Sequence, residues 1–174
     1  MRYNGTRQLV IQGLIAAVYA AVSLALPALS FGAVQVRFAE ALTLLPVISG
    51  SCIWGVTLGC FLTNLIGAFL GVNILGIMDV AVGTAATLAA ALLTRALRGV
   101  RIGKLPVAAA LPPVVMNGVA IGLELSYVTT GSINAAAFWS CGGSVALGEL
   151  IACVALGLPL VYFLEKRGWD SKLK

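Results

Sequence analysis

The chain has 174 residues, 60% of them apolar and only 10% charged, with a formal net charge of +5, against about 45–50% apolar and about 25% charged residues in soluble domains. So few charges cannot coat a water-facing surface, which excludes a cytosolic enzyme, a nucleic-acid binder and a secreted disulfide scaffold. The basic excess reads instead as a topology signal, because lysine and arginine concentrate in cytoplasmic loops of membrane proteins.

Charge-free runs cover residues 8–36, 41–78, 105–123 and 125–148, each near or beyond the roughly 18 residues that mark a membrane span. In chain order the predicted spans are 9–29, 39–49, 53–69, 77–97, 105–127 and 138–163, forming one transmembrane domain over residues 1–174. The basic start and the small residues near Ala28 also fit a secretory leader. The apolar stretch exceeds the usual 7–15 residues of such a leader, so it is expected to remain as the first span. The stretch 38–69 supplies about 48 Å of helix at 1.5 Å per residue, too little for two full crossings of a roughly 30 Å core and too much for one. Two short helices broken near Gly50 and Ser51 give six spans, whereas one long helix gives five and inverts everything after it. With six spans and both termini cytoplasmic, Arg2, Arg7, Arg95, Arg98, Arg101, Lys104, Lys166, Arg167, Lys172 and Lys174 fall inside and only Arg37 outside. Five spans would expose the Arg95–Lys104 cluster and the C-terminal tail, against the positive-inside rule. The expected fold is therefore an all-α membrane protein, a bundle of six transmembrane helices placed in a prokaryotic cell membrane.

What is absent narrows the chemistry. There is no histidine, and Cys52, Cys60, Cys141 and Cys153 lack CxxC spacing and lie in apolar sequence, which fits packing. The stretch Gly99–Lys104 resembles a phosphate-binding loop only loosely, with three residues between its glycines and Leu105 where Ser or Thr should follow Lys104. No ATP hydrolysis by that route, no metal and no cofactor are expected of this chain.

Threading makes the acids informative. Glu165 and Asp170 lie in the basic inner tail, but Glu40 opens the second span, Asp79 opens the fourth, Glu124 closes the fifth, and Glu149 lies roughly 16 Å into the sixth. All four fall in the outer half of the membrane, where a carboxylate costs roughly 2.5–3.5 kcal/mol to insert and normally marks a substrate or ion path. Asn117, Glu124 and Tyr127 share one helical face, as do Cys60, Asn64, Gly67 and Gly71, and again Gly142, Ala146 and Glu149. Four acids against Arg37 give a formal net charge of −3 at most, suited to a cationic or donor-rich ligand. Phe31, Phe38, Tyr127 and Trp139 stand at the same level, ready to stack on a planar ring or to anchor the interface.

The stretch 34–46, VQVRFAEALTLLP, resembles the QueT-type queuosine-precursor transporters, substrate-binding (S) components of energy-coupling-factor importers. Further resemblance lies in Asn64 to Gly67, Asp79 through Arg95, Pro112 to Gly118 leading to Glu124, and Phe138-Trp139 through Gly148-Glu149 to Pro159, covering nearly the whole chain. Ala39 stands where serine is commoner in the family. The resemblance implies a six-helix S component with an outward-facing pocket that hydrolyses no ATP itself. It implies as partners a transmembrane coupling subunit and two ATP-binding subunits, docked through small residues of the first helix, Ala16, Ala17, Ala20 and Ala21. The implied ligand is a 7-deazaguanine such as 7-aminomethyl-7-deazaguanine. The residues available to bind it are Gln35, Arg37, Glu40, Asn64, Asp79, Asn117, Glu124, Tyr127, Trp139 and Glu149, with the ends of the ligand unassigned among the acids. The intramembrane acids alone also allow a self-sufficient proton- or cation-coupled transporter. An intramembrane enzyme would need a nucleophile or metal site, and neither is evident.

Overall fold

The computed structural model describes residues 3–32 and 35–169. Arg2, Val34, Asp170, Lys172 and Lys174 lie outside the described residues. Among the described residues the chain is helical, with a single isolated bridge between Ile102 and Leu105. Helix α1 runs Tyr3–Ala25 and stops where Pro27 forces Leu26 out of the helical region (φ −127°, ψ 59°), rather than continuing to residue 29 as the sequence predicts. A short α2, Pro27–Ser30, follows, then a ten-residue 3₁₀ segment, Phe38–Val47. Helix α3 is Cys52–Phe69 and α4 is Ile77–Ala96; the loop between them turns on Gly71 (φ +69°) and Gly76 (φ +61°), conformations open to glycine without strain. Helix α5, Leu111–Thr130, opens on prolines at its first turn and ends at the left-handed Gly131. Helix α6, Ala135–Leu150, is capped by Asn134, whose side chain accepts from the backbone N–H of Ala136 and Ala137. It continues through a π-helical stretch, Ile151–Gly157, into α7, Leu158–Lys166. Pro159 lacks the N–H of a regular ladder, and the register widens just before it.

Five of these stretches are long and apolar enough to cross a membrane: Gly5–Ala25, Cys52–Phe69, Ile77–Gly99, Val107–Thr130 and Ala135–Lys166. The second predicted span, residues 39–49, is the exception, being only the short apolar helix Phe38–Val47. Its direction follows from its neighbours. Gly55 packs on Ile15, Gly59 on Ala16 and Tyr19, and Gly67 on Phe31, so α1 and α3 run parallel and the chain between them must return. The 3₁₀ segment makes that return: Arg37, just before it, meets Asp79 at the start of α4, while the carbonyls of Pro46 and Val47 at its far end accept from Arg95 at the end of α4. At about 2.0 Å per residue, a 3₁₀ helix spans more length per residue than an α-helix.

The distribution of polarity is inverted relative to a soluble domain. Leu9, Trp54, Phe69 and Ile77 are 63–80% exposed, whereas Glu40, Asn64, Thr63 and Asp79 are fully buried. Apolar side chains face outward to lipid and the polar ones face the bundle interior, the arrangement that intramembrane ionisable groups require. The chain is a multi-pass membrane protein. Close approach of α5 and α6 rests on Gly118, Gly122 and Gly142; a methyl on Gly122 would lie 2.7 Å from Gly142 Cα.

Candidate functional site

The buried polar residues gather at the Asp79 end of the bundle, contributed by every principal element. From the segment entering the 3₁₀ helix come Gln35, Arg37 and Glu40, all under 7% exposed. Arg37 stands 3.8 Å from Glu40 Oε1 and 3.9 Å from Asp79 Oδ2, donates to the Ser30 carbonyl, and lies 5.4 Å from the centroid of the Phe31 ring. Tyr19 of α1 donates its hydroxyl to Glu40 Oε1. Asn64 of α3 donates to the Asp79 carbonyl at 2.9 Å, and Asn73, in the α3–α4 loop, donates to Asp79 Oδ2 at 2.8 Å. Across the bundle, Asn117 of α5 donates to Glu149 Oε1 of α6 at 2.8 Å. Glu149 is within electrostatic reach of Glu40 and Arg37, and Glu124 within reach of Asp79, so the two halves form one charged cluster.

Backbone approach is what lets the cluster close. Gly83 leaves room for the Asp79 carboxylate, and a methyl there would also lie 2.7 Å from Asn64 Nδ2. Gly148 abuts the Gln35 carbonyl and leaves no space for any side chain, so α6 can carry Glu149 directly against the entering segment.

Eight of the ten residues expected at the site are brought together: Gln35, Arg37, Glu40, Asn64, Asp79, Asn117, Glu124 and Glu149 are all 0–6% exposed. Tyr127 and Trp139 are not. Tyr127 is 54% exposed and Trp139 is 73% exposed, on the outward faces of α5 and α6. On α6 it is Phe138 that packs near Gly122, and Trp139 meets its ring edge-on at 5.1 Å while facing outward. Both positions suit aromatic anchors at a membrane interface. Two partners are missing from the expected set, Tyr19 and Asn73. A phenol in the middle of an apolar helix needs a buried acceptor, and Asn73 is the lone amide of a glycine-bounded loop; both signals are visible in the sequence once sought.

Many of the site's polar atoms are buried without a hydrogen-bond partner: Glu40 Oε2, Asn64 Oδ1, Asp79 Oδ1, Glu149 Oε2 and both carboxylate oxygens of Glu124, together with Gln35 Nε2; the hydroxyls of Ser23, Thr57, Thr63, Thr84 and Ser144, able to donate or accept, are unmatched as well. The imbalance is chemical as well as numerical. Six of these atoms are carboxylate or amide oxygens against one amide nitrogen, and buried polar atoms in native proteins are normally satisfied.

The small residues of α1 divide between two faces. Ala16 and Ala20 are 1% and 8% exposed, with Ala16 packed on Gly59 of α3, whereas Ala17 and Ala21 are exposed. Expected as one docking face, the four therefore split into an internal pair and an outward pair, as their roughly 100° offset around the helix dictates.

The profile of the QueT transporter family matches residues 9–166. The chain belongs to the QueT transporter family. That match runs from within α1 to the end of α7 and includes all ten of the expected site residues. Comparison with curated proteins and with solved structures returns no match.

Proposed function

We propose that this QueT-family transporter is the substrate-capturing component of an energy-coupling-factor importer, with six crossings, both termini cytoplasmic, and the polar cluster facing outside. The observation that carries the proposal is the set of six unmatched carboxylate and amide oxygens in the cluster against one unmatched N–H group, that of Gln35, which favours a ligand rich in N–H groups. 7-Aminomethyl-7-deazaguanine has that balance: N–H donors at N1, the 2-amino group, N9 and the ammonium, against few acceptors. The six-crossing reading rests on the parallel run of α1 and α3, which makes the 3₁₀ segment a crossing strand, and on the basic residues at the Arg95 end, which belong inside.

The state of each acid favours one orientation of the ligand. Glu40 and Asp79 already share Arg37 and hold Tyr19 and Asn73, and Glu149 holds Asn117. Glu124 has both oxygens unmatched at 4% exposure, so it takes the exocyclic ammonium. The free oxygens of Asp79 and Glu40 receive the ring N–H edge, and Gln35 Nε2 donates to the ring carbonyl. Tyr127 and Trp139 stay outside the contact shell.

Transport energy comes from partner subunits: ATP is hydrolysed by two ATP-binding subunits and transmitted through a transmembrane coupling subunit. Ala17 and Ala21 form the face that a partner helix approaches, because small side chains let backbones come close. Calorimetric titration of the purified chain with the aminomethyl compound, its cyano analogue and guanine tests the ligand. Uptake into proteoliposomes tests the energy source: the isolated chain should accumulate nothing without the coupling module and ATP, and uptake by the chain alone would make it a self-sufficient transporter.

A further inference from the structure

The opposite end of the bundle carries a second charged feature that the capture of a substrate does not use. The connection between α4 and α5 is a tight hairpin, closed by the bridge between Ile102 and Leu105 and by the left-handed Gly103. Its side chains alternate in kind: Arg98, Arg101 and Lys104 are interleaved with Val100, 56% exposed, and Ile102, 73% exposed. Arg101 is occupied. It donates to both oxygens of Glu165 at 2.9 and 2.6 Å and to the carbonyls of Arg98 and Lys104, stapling the hairpin to α7. Beside this staple lies a groove of about 430 Å³, lined by Arg101, Gly103, Lys104, Tyr162, Glu165 and Lys166. Lys104 and Lys166 form no ion pair among the described residues.

We propose that this groove is a binding site for an anionic phospholipid headgroup, with Lys104 and Lys166 on the phosphate and Arg98 contributing its charge from the adjoining groove that shares Arg101 and Glu165. Two features favour a lipid over an acidic protein surface. Val100 and Ile102 expose apolar side chains next to the cations, which water would disfavour and the boundary between headgroups and acyl chains would accept. Tyr162 and Phe163, 37% and 52% exposed, continue that apolar rim along α7. The cations thus lie at the depth of phosphates while their neighbours lie at the depth of acyl chains. Stapling by Arg101 and Glu165 holds the groove open without consuming Lys104 or Lys166.

The test is lipid retention by the full-length chain, purified in mild detergent with equimolar phosphatidylglycerol and phosphatidylcholine and weighed by native mass spectrometry. Wild type should retain phosphatidylglycerol selectively, and R98Q/K104Q/K166Q should weaken that retention about 100-fold, at about fivefold per cation near an anionic surface. K104R/K166R should retain it, and the gel-filtration profile and Tm should be unchanged in both variants, which shows them folded. Wild-type retention by the triple variant overturns the proposal. So does displacement of the lipid by millimolar inorganic phosphate, which would make this a free-anion site. Loss of co-purification with a coupling subunit at unchanged lipid retention overturns it too, because the surface would then be a protein interface. If R98Q/K104Q/K166Q fails to fold, K104Q alone should still lose retention about fivefold, and no change there is equally decisive.

Discussion

Replacing Glu124 by Gln should weaken binding of the aminomethyl ligand while making the empty protein more stable, and the opposite signs are the point of the experiment. In the empty site Glu124 is 4% exposed with neither oxygen matched, so a buried polar group goes without a hydrogen-bond partner and is destabilising until a donor arrives. A hydrogen bond to a charged group contributes about 1.5–3 kcal/mol and a neutral one about 0.5–1.5 kcal/mol. Because Gln keeps one carbonyl acceptor, Glu124→Gln should lose the difference, about 1–1.5 kcal/mol, or roughly tenfold in Kd. Glu124→Leu removes the acceptor altogether and should lose roughly 10- to 100-fold. The neutral cyano analogue lacks the ammonium, so its affinity should be nearly the same in all three proteins. Wild type should prefer the aminomethyl compound and the Leu variant should not. Calorimetry with both ligands measures the affinities, and thermal unfolding without ligand measures the stability, where Tm should rise for both variants. Equal losses for the two ligands would move Glu124 to the ring they share; unchanged affinity together with a lower Tm would make it a structural acid, and the assignment of ends would fail.

Three further outcomes follow from the same geometry. Glu149→Gln should weaken binding at least tenfold by calorimetry while the protein still inserts and purifies, because its unmatched Oε2 lies in the cluster and Asn117 can still donate to the remaining carbonyl oxygen. Gly83→Ala should lower Tm by the equivalent of about 1–3 kcal/mol, the usual cost of overpacking, and weaken binding as well, since the methyl displaces Asp79 and Asn64. Ala17→Leu with Ala21→Leu should leave ligand affinity near wild type and abolish co-purification with the coupling subunit and ATP-driven uptake, whereas Ala16→Leu with Ala20→Leu should lower Tm, because Ala16 and Ala20 are buried and Ala16 packs on Gly59. Intact assembly in the Ala17/Ala21 variant would remove the docking face.

The acids were legible in the sequence because the membrane makes polarity expensive: a carboxylate in a long charge-free run has few possible roles, and Glu40, Asp79, Glu124 and Glu149 do converge. Helical spacing also placed Asn117 on the face of Glu124. The same spacing expected Tyr127, three residues after Glu124, on the inner face, but it is 54% exposed beside the fully buried Leu125 and Ser126. Trp139 was misplaced for a related reason, its neighbour Phe138 having the inward position. Periodicity gives the relative angle of residues around a helix but not which sector faces inward, and the four alanines of α1 show this most plainly. Of the two missed partners, Tyr19 meets Glu40 across 21 residues, a contact that depends on the packing of α1 against the 3₁₀ segment, whereas Asn73 meets Asp79 only six residues on, through the glycine-bounded turn into α4.

The 3₁₀ segment also shows how a stretch of only ten residues can run back alongside α4. An α-helix of ten residues is about 15 Å long, well short of the distance between Asp79 and Arg95, sixteen residues apart on α4. Winding the same residues as 3₁₀ lengthens them to about 20 Å, and the ends are then held by side chains of the neighbouring helix. Arg37 meets Asp79 at one end, and the Arg95 guanidinium accepts the load at the other by donating to the Pro46 and Val47 carbonyls at 3.0 Å each. A 3₁₀ helix leaves such terminal carbonyls without an intrahelical partner, so Arg95 satisfies groups that lipid could not. The segment is therefore a strut tied at both ends to α4, with Glu40 fixed near one tie. Loosening the inner tie should be felt at the ligand: Arg95→Gln, 49 residues from Pro46 in sequence and at the far end of the bundle from the acids, should lower ligand affinity as well as Tm. A variant that lowers Tm but binds with wild-type affinity would show that Glu40 is positioned by its own neighbours, Tyr19 and Arg37, and not by the strut.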